Sequence, residues 1–333
     1  MRKIKVLIAV REAAPSADFF RKAISRRNDL TDRVDYGFCG PEEIVHQIAD
    51  VEVVTCGNLR GDALSTASDL RWIAFWSAGL DGKISREMID RQLLLTNASG
   101  VHGPNIAEHV LCMMLMFTRR MHIHIRSQAG KVWDRQMPVD MPPAGELSGQ
   151  TLGIIGYGRI GEALTTRAHS MGMRVVATKR DTSFVHSGDN VTKPDKLYSP
   201  GEMKLLLGQS DHICIAVPST TETSHLINRE VIAAMKPGAY VYNVARGAVA
   251  DEAALIEALR SEHLGGAGLD VFETEPLPVD SPLWDMPNVI ITPHVAGLTP
   301  HYFPRYAELF AANLERYVVG LPLHNQYRDD LGY

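Results

Sequence analysis

Cysteine is scarce in this sequence, and the four present, Cys39, Cys56, Cys112 and Cys214, stand far apart. They form no CxxC pair and have no histidine cluster at metal-site spacing, which argues against a disulfide framework and a structural zinc and fits a reducing compartment. Long apolar runs are lacking too. The longest uncharged one, Val110 to Phe117, falls well below the roughly 18 residues that cross a bilayer. Met1-Arg2-Lys3 followed by Val6 to Val10 has the basic start of an export signal, but Arg11 and Glu12 end it short of the roughly 7–15 apolar residues required. A cytoplasmic chain with no membrane partner is therefore expected. Single-sign charge runs are also missing. Lys plus Arg number 34 and Asp plus Glu 39, for a net charge of −5 spread along the chain, so neither nucleic acid nor a membrane surface is an expected partner.

What is present is a chain of 333 residues, 45% apolar and 22% charged, enough for two domains with cores of their own. Short apolar strands alternate with helical stretches: Lys3–Val10 then Ala17–Ile24, Val34–Cys39 then Pro41–Ile48, Val51–Cys56 then Ala63–Ser68, followed by Trp72–Phe75 and Leu93–Asn97. Such alternation predicts α/β architecture with parallel sheets. A helical pattern from Asn105 to Arg126 interrupts it, and its Ile106, Val110, Met113, Met114 and Phe117 read as core or subunit interface. After a looser stretch from Met137 to Gly149 the alternation resumes, with strands at Thr151–Ile155, Arg174–Thr178, His212–Val217, Ala239–Val244, Gly266–Asp270 and Val289–Ile291, before a last helix at Pro300–Val319. The expected layout is a doubly wound cofactor domain over residues 101–296 inserted into a doubly wound substrate domain of residues 1–100 and 297–333.

Gly156-Tyr157-Gly158-Arg159-Ile160-Gly161 follows the strand at Thr151 and opens a helical stretch to Met171. Gly156 permits the tight turn, Gly158 lets backbone approach a pyrophosphate, Gly161 lets the helix pack on the strand, and the helix N-terminus attracts the anion. This is the Rossmann pattern for a dinucleotide. Where an NAD site usually places an acid on the ribose 2′-OH, the chain reads Thr178-Lys179-Arg180-Asp181. Cations there remove repulsion of a 2′-phosphate, so NADPH is expected over NADH. The alternative is a pair of solvated cations with Asp181 in the acid's role.

Nicotinamide chemistry on a 2-oxo acid needs a group to hold the carboxylate and polarise the carbonyl, which suits arginine, and a proton donor, which suits histidine beside a carboxylate. Candidates fall at the carboxyl ends of predicted strands, where open α/β sheets bind ligands: Arg246 after Asn243, Asp270 and Glu275 in Gly268 to Pro276, and His294 after Thr292-Pro293. Singly, each has a plainer explanation: a helix cap, loop solvation, or one of 13 ordinary histidines.

These stretches, with Ser77-Ala78-Gly79-Leu80-Asp81, Ala107-Glu108-His109, Pro218 with Thr223, Met235-Lys236-Pro237-Gly238, and Asn243 to Gly247 with Asp251-Glu252, resemble the D-isomer-specific 2-hydroxyacid dehydrogenases over nearly the whole chain. The resemblance implies a Rossmann domain inserted into a flavodoxin-like one and a homodimer formed largely through the cofactor domain. It implies that Arg246 holds the substrate carboxylate and polarises the 2-oxo group, that His294 is the acid/base with Glu275 its charge partner, and that the Ala78 and Gly79 amides also contact the carboxylate. Asp270 would face the nicotinamide, Arg159 and Ile160 the pyrophosphate, with Thr178, Lys179, Arg180, Pro218, Thr223 and Ala245 completing the coenzyme contacts. Glu275, where formate-oxidising relatives carry Gln, and the lack of Lys from Arg71 to Asp81, where phosphite-oxidising relatives use one, argue against those two activities. Lys179 resembles the NADPH-preferring glyoxylate and hydroxypyruvate reductases, so a small 2-oxo acid is the expected substrate. A dinucleotide-sensing, corepressor-like protein of the same fold is the alternative.

Overall fold

The computed structural model describes residues 2–133, 144–182 and 192–329. It divides into two compact units, Met1–His102 with Thr299–Tyr333, and Gly103–Leu298. Part of the loose stretch from Met137 to Gly149 lies outside the described residues.

In the first unit β1 (Ile4–Ile8), β2 (Val34–Phe38), β3 (Val53–Cys56), β4 (Trp72–Phe75) and β5 (Leu94–Thr96) form a parallel sheet in the order β2-β1-β3-β4-β5. Every residue of β3 and β4 is buried, the signature of a sheet covered on both faces. On one face, Phe20 of helix Pro15–Ser25 and Tyr306, Phe310 and Leu314 of helix Tyr302–Val318 pack on Val6, Ile8 and Trp72. The last helix thus belongs to the first unit, and Trp72 stacks on Phe310 with ring centroids 5.5 Å apart. On the other face Ile44, Leu64 and Met88 meet Leu7, Val54 and Ile73.

The second unit carries β6 (Thr151–Ile155), β7 (Arg174–Thr178), β8 (Lys196–Tyr198), β9 (His212–Ile215), β10 (Ala239–Asn243), β11 (Leu264–Leu269) and β12 (Val289–Ile291), all parallel in the order β12-β11-β10-β9-β6-β7-β8. Strand order reverses at β6, so a doubly wound sheet places its ligand crevice beyond the carboxyl ends of β6 and β9. Helices Gly103–Thr118 and Arg159–Ser170 cover one face and helix Glu252–Arg260 the other. Glycine in β11 sets the closeness of that packing: a Cβ on Gly268 would stand 2.6 Å from the Met113 sulfur.

Three elements depart from expectation. The helix read over Asn105–Arg126 is two helices, Gly103–Thr118 and Met121–Ala129, parted by Arg120 at φ 56°. Arg120 has no glycine or proline beside it, and tertiary burial, with the residue 6% exposed, holds the break. The stretch Pro41–Ile48 is a 3-10 turn, Pro41–Glu43, running into a short helix, Ile44–Gln47. The edge strand β8 gave no sequence signal, being only three residues, Lys-Leu-Tyr.

Candidate active site

The coenzyme-type turn is built as its glycines require. Gly156 follows β6 at φ 96°, and a Cβ there would meet Val217 at 2.7 Å and the Ala216 carbonyl at 2.8 Å, so only glycine turns the chain here. The Gly156 amide donates to the Thr178 hydroxyl, 3.1 Å, tying the turn to the end of β7. Gly161 faces Tyr157 and Ile154, with space for no more than a close contact. Gly158 is different. Nothing lies within 4 Å of where its Cβ would be, and it is the N-cap of helix Arg159–Ser170 with no side chain capping the helix. Open space over uncapped N–H groups is what a pyrophosphate needs, so these residues fit a dinucleotide. Arg159 and Ile160 open this helix, Arg159 pairing with Glu162 at 3.3 Å.

Past β7, Lys179 lies with its ammonium 5.5 Å from the centre of the Tyr157 ring. Partial burial pushes its pKa down, against the pull of Glu162 and Asp181. Arg180 forms an ion pair with Glu222, 2.9 Å. Beyond β9, Thr223 donates to the Pro218 carbonyl at 2.6 Å and accepts from the Thr220 amide at 2.8 Å, closing the loop on itself.

Three neighbouring strands, β10, β11 and β12, deliver the remaining groups. At the end of β10 the buried Asn243 accepts from the Ala245 amide, 3.1 Å, and donates to the Arg246 carbonyl, 3.1 Å, bending the chain so that Arg246 leaves the sheet half-buried. The guanidinium donates to the Ala245 carbonyl, 2.8 Å. Gly247 presses this loop onto the next one: a Cβ there would fall 1.8 Å from the Phe272 carbonyl oxygen. After β11, Asp270 is 2% exposed. Its carboxylate accepts from the Thr292 hydroxyl at 2.6 Å and from the Val295 and Ala296 amides at 2.9 and 3.0 Å, and its carbonyl accepts from the His294 amide at 2.8 Å. Asp270 thus holds the segment carrying His294 in place, His294 itself at φ 54°, a left-handed conformation uncommon for a residue with a side chain.

Glu275 accepts from the Phe272 amide with one oxygen, 3.1 Å, and meets Nδ1 of His294 with the other, 2.8 Å. A carboxylate only accepts, so Nδ1 carries the proton and Nε2 is left as the ring nitrogen able to give or take one. Both side chains are partly exposed, 37% and 49%, as groups that meet a ligand must be. The structure therefore brings Arg246, Asp270, Glu275 and His294 to adjoining strand ends of one sheet, and the glycine turn to the same edge.

Sequence reasoning gave Thr292, Asn243 and His109 no role in the site. Thr292 donates to Asp270, so it accepts from Nε2 of His109 at 3.0 Å, and the three form a part-buried hydrogen-bond chain leading to Asp270. Only Asn243 carried a local signal, a side chain able to mimic a backbone turn two residues on. Ala78 and Gly79 lie in the first unit, just past β4. Trp76 before them donates from its indole N–H to the Thr55 hydroxyl, 2.9 Å, and lines a cleft of about 630 Å³ with Ile44, Gly57, Leu59 and Arg60. Among the described residues no group of three or more His, Cys, Asp or Glu is placed to hold a metal ion, and no helix is long and apolar enough to cross a membrane.

Residues 111–296 match the family model of the D-isomer specific 2-hydroxyacid dehydrogenase, NAD binding domain. The chain is 34% identical over 285 residues to the glyoxylate reductase of Thermofilum pendens, covering 82% of this chain and 80% of that one. It is 39% identical over 245 residues to glyoxylate/hydroxypyruvate reductase B of Pectobacterium carotovorum, covering 73% and 74%. Its fold is similar to that of a D-isomer specific 2-hydroxyacid dehydrogenase from Xanthobacter autotrophicus Py2, solved in complex with NADPH and MES, with a TM-score of 0.78, 26% identity and full coverage of both chains.

Proposed function

The chain belongs to the D-isomer specific 2-hydroxyacid dehydrogenase family, and from that premise we propose that it reduces small 2-oxo acids of the glyoxylate and hydroxypyruvate kind to D-2-hydroxy acids, with NADPH preferred. The observation that carries the proposal is the 2.8 Å hydrogen bond from His294 to Glu275 beside the Arg246 loop. A bound nicotinamide supplies the hydride. Residues 156–161 with Thr178, Lys179, Arg180, Pro218, Thr223 and Ala245 would hold the coenzyme, and Asp270, locked by Thr292 and the Val295 amide, would face its nicotinamide.

Arg246 binds the substrate carboxylate in a planar fork and draws electron density from the 2-oxo group. By the resemblance, the Ala78 and Gly79 amides of the first unit would also be donors to a substrate carboxylate. His294, protonated on both nitrogens, gives the Nε2 proton to the 2-oxo oxygen as its carbon is reduced. Glu275 opposes the imidazolium charge before that step and keeps the ring in one orientation after it. In the oxidative direction His294 takes the proton back.

NADPH preference draws on Lys179, which stands where an acid would repel a 2′-phosphate, and on the NADPH bound by the Xanthobacter relative. A cytoplasmic setting is part of the proposal, in keeping with four free cysteines, three of them buried. So is a homodimer through the second unit, supported by Met121, Ile125, Val132 and Trp133, which stand 45 to 92% exposed on one segment. The test is absorbance-monitored oxidation of NADPH and of NADH against glyoxylate, hydroxypyruvate, pyruvate and bulkier 2-oxo acids. Turnover of the small acids with NADPH ahead of NADH is expected. Equal or better use of NADH contradicts the coenzyme assignment, and no turnover of any 2-oxo acid contradicts the activity.

A further inference from the structure

Lys83 has no part in the scheme above, yet its ammonium joins two loops at the carboxyl edge of the first sheet. Nζ donates to the Gly57 carbonyl, just past β3, and to the Ser77 hydroxyl, just past β4, each at 2.8 Å. The chain between Ser77 and Lys83 folds back on itself: the Lys83 amide donates to the Leu80 carbonyl at 3.0 Å, and Gly82 turns at φ 68°. Ser77 is fixed on its other side, its carbonyl accepting from the Ala98 amide at 3.0 Å. Trp76 is fixed as well. Its amide donates to the Cys56 carbonyl at 3.0 Å, and its indole to Thr55, which meets the Tyr306 hydroxyl at 2.7 Å. Since Tyr306 spends its own proton on the Ala74 carbonyl, 3.0 Å, Thr55 donates to Tyr306 and accepts from Trp76, a chain satisfied in one direction only.

Ser77, Ala78 and Gly79 are thereby held between a buried hydrogen-bond chain and an ammonium group. Only the second of these can be altered without disturbing the core, because Lys83 is half-buried at the rim while Thr55 and Tyr306 are fully buried.

We propose that Lys83 is a positioning residue for substrate binding. It closes the Ser77–Gly82 turn onto Gly57, fixing the directions in which the Ala78 and Gly79 amides point, and it adds a positive charge beside them for an anionic substrate. The proposal rests on the assignment of those amides to the substrate carboxylate. Nothing in the run Arg71 to Asp81 announces this cation, which arrives two residues later and folds back.

The test compares wild type with Lys83→Met and Lys83→Arg using hydroxypyruvate and NADPH, together with coenzyme affinity and melting temperature. Loss of two hydrogen bonds to a charged donor and of its field predicts that K83M raises KM for the 2-oxo acid about tenfold or more, with kcat within about threefold of wild type and coenzyme affinity unchanged. K83R, keeping charge and donors, is expected to recover most of the lost affinity. An unchanged KM in folded K83M overturns the proposal. So does a K83M that melts early and binds coenzyme poorly, or a K83R no better than K83M, because each makes the lysine a structural prop only. A wild type that reduces no 2-oxo acid refutes the functional assignment instead, which separates the two failures.

Discussion

At the scale of single residues, the clearest distinction is between two histidines whose surroundings differ in kind. His294 is half exposed and faces a carboxylate, whereas His212 is 1% exposed in β9. Gln150 presents a carbonyl oxygen 2.6 Å from Nε2 of His212, and the Tyr242 hydroxyl lies 2.9 Å from Nδ1. A neutral ring protonated on Nε2 satisfies both contacts, and burial pushes its pKa down to about 4 despite the nearby Asp211. The unfolded chain takes up this proton near pH 6.5, the folded one only near 4. Between those values the unfolded state binds more protons, so stability falls as pH drops from about 6.5 toward 4, by roughly 3 kcal/mol in all from this group. His212→Gln removes that part of the slope. Denaturant melts at pH 7 and pH 4.5 check it: the variant's deficit at pH 7 is expected to shrink at pH 4.5, and a constant deficit refutes the account. At Arg246, a change to Ala removes the charged fork proposed to grip substrate before and during the reaction. Steady-state kinetics are expected to show KM raised and kcat lowered together, with kcat/KM down about a hundredfold or more.

At the scale of elements, the turn after β6 separates a glycine needed by the fold from one the proposed coenzyme would need. Gly156→Ala drives a methyl into Val217 and the Ala216 carbonyl from a positive-φ backbone, and is expected to cost about 2 kcal/mol or more of stability. Gly158→Ala meets open space, so its melting temperature is expected to match wild type while NADPH affinity falls at least about tenfold, from a methyl set where the proposed site would receive the pyrophosphate. Calorimetry with a coenzyme titration reads both. Strand–turn–helix order made this element legible in the sequence, as apolar blocks did for β1 to β7 and β9 to β12. The break at Arg120 and the edge strand β8 were not legible, because what sets them is burial against distant segments and pairing with β7, neither of which leaves a local trace. In the same way Arg246, Glu275 and His294 were visible as strand-end residues, while Thr292, Asn243 and Lys83, whose hydrogen bonds carry these loops, were ordinary polar letters until the chain was folded.

At the scale of the whole molecule, one sheet edge in the second unit gathers a glycine turn, a guanidinium and an imidazole–carboxylate pair drawn from residues 156 to 294, the set proposed to act on coenzyme and substrate. The exposed Ile125 and Trp133 belong to this scale too: Ile125→Lys with Trp133→Ser is expected to convert a species of twice the chain mass into a monomer in sedimentation, and an unchanged mass contradicts the proposed interface. The most direct test of the chemistry is hydroxypyruvate reduction by His294→Asn with NADPH affinity measured on the same sample. Loss of the Nε2 proton donor predicts kcat lower by about a hundredfold to ten-thousandfold at unchanged coenzyme affinity, whereas a variant that keeps most of its turnover contradicts His294 as the proton donor.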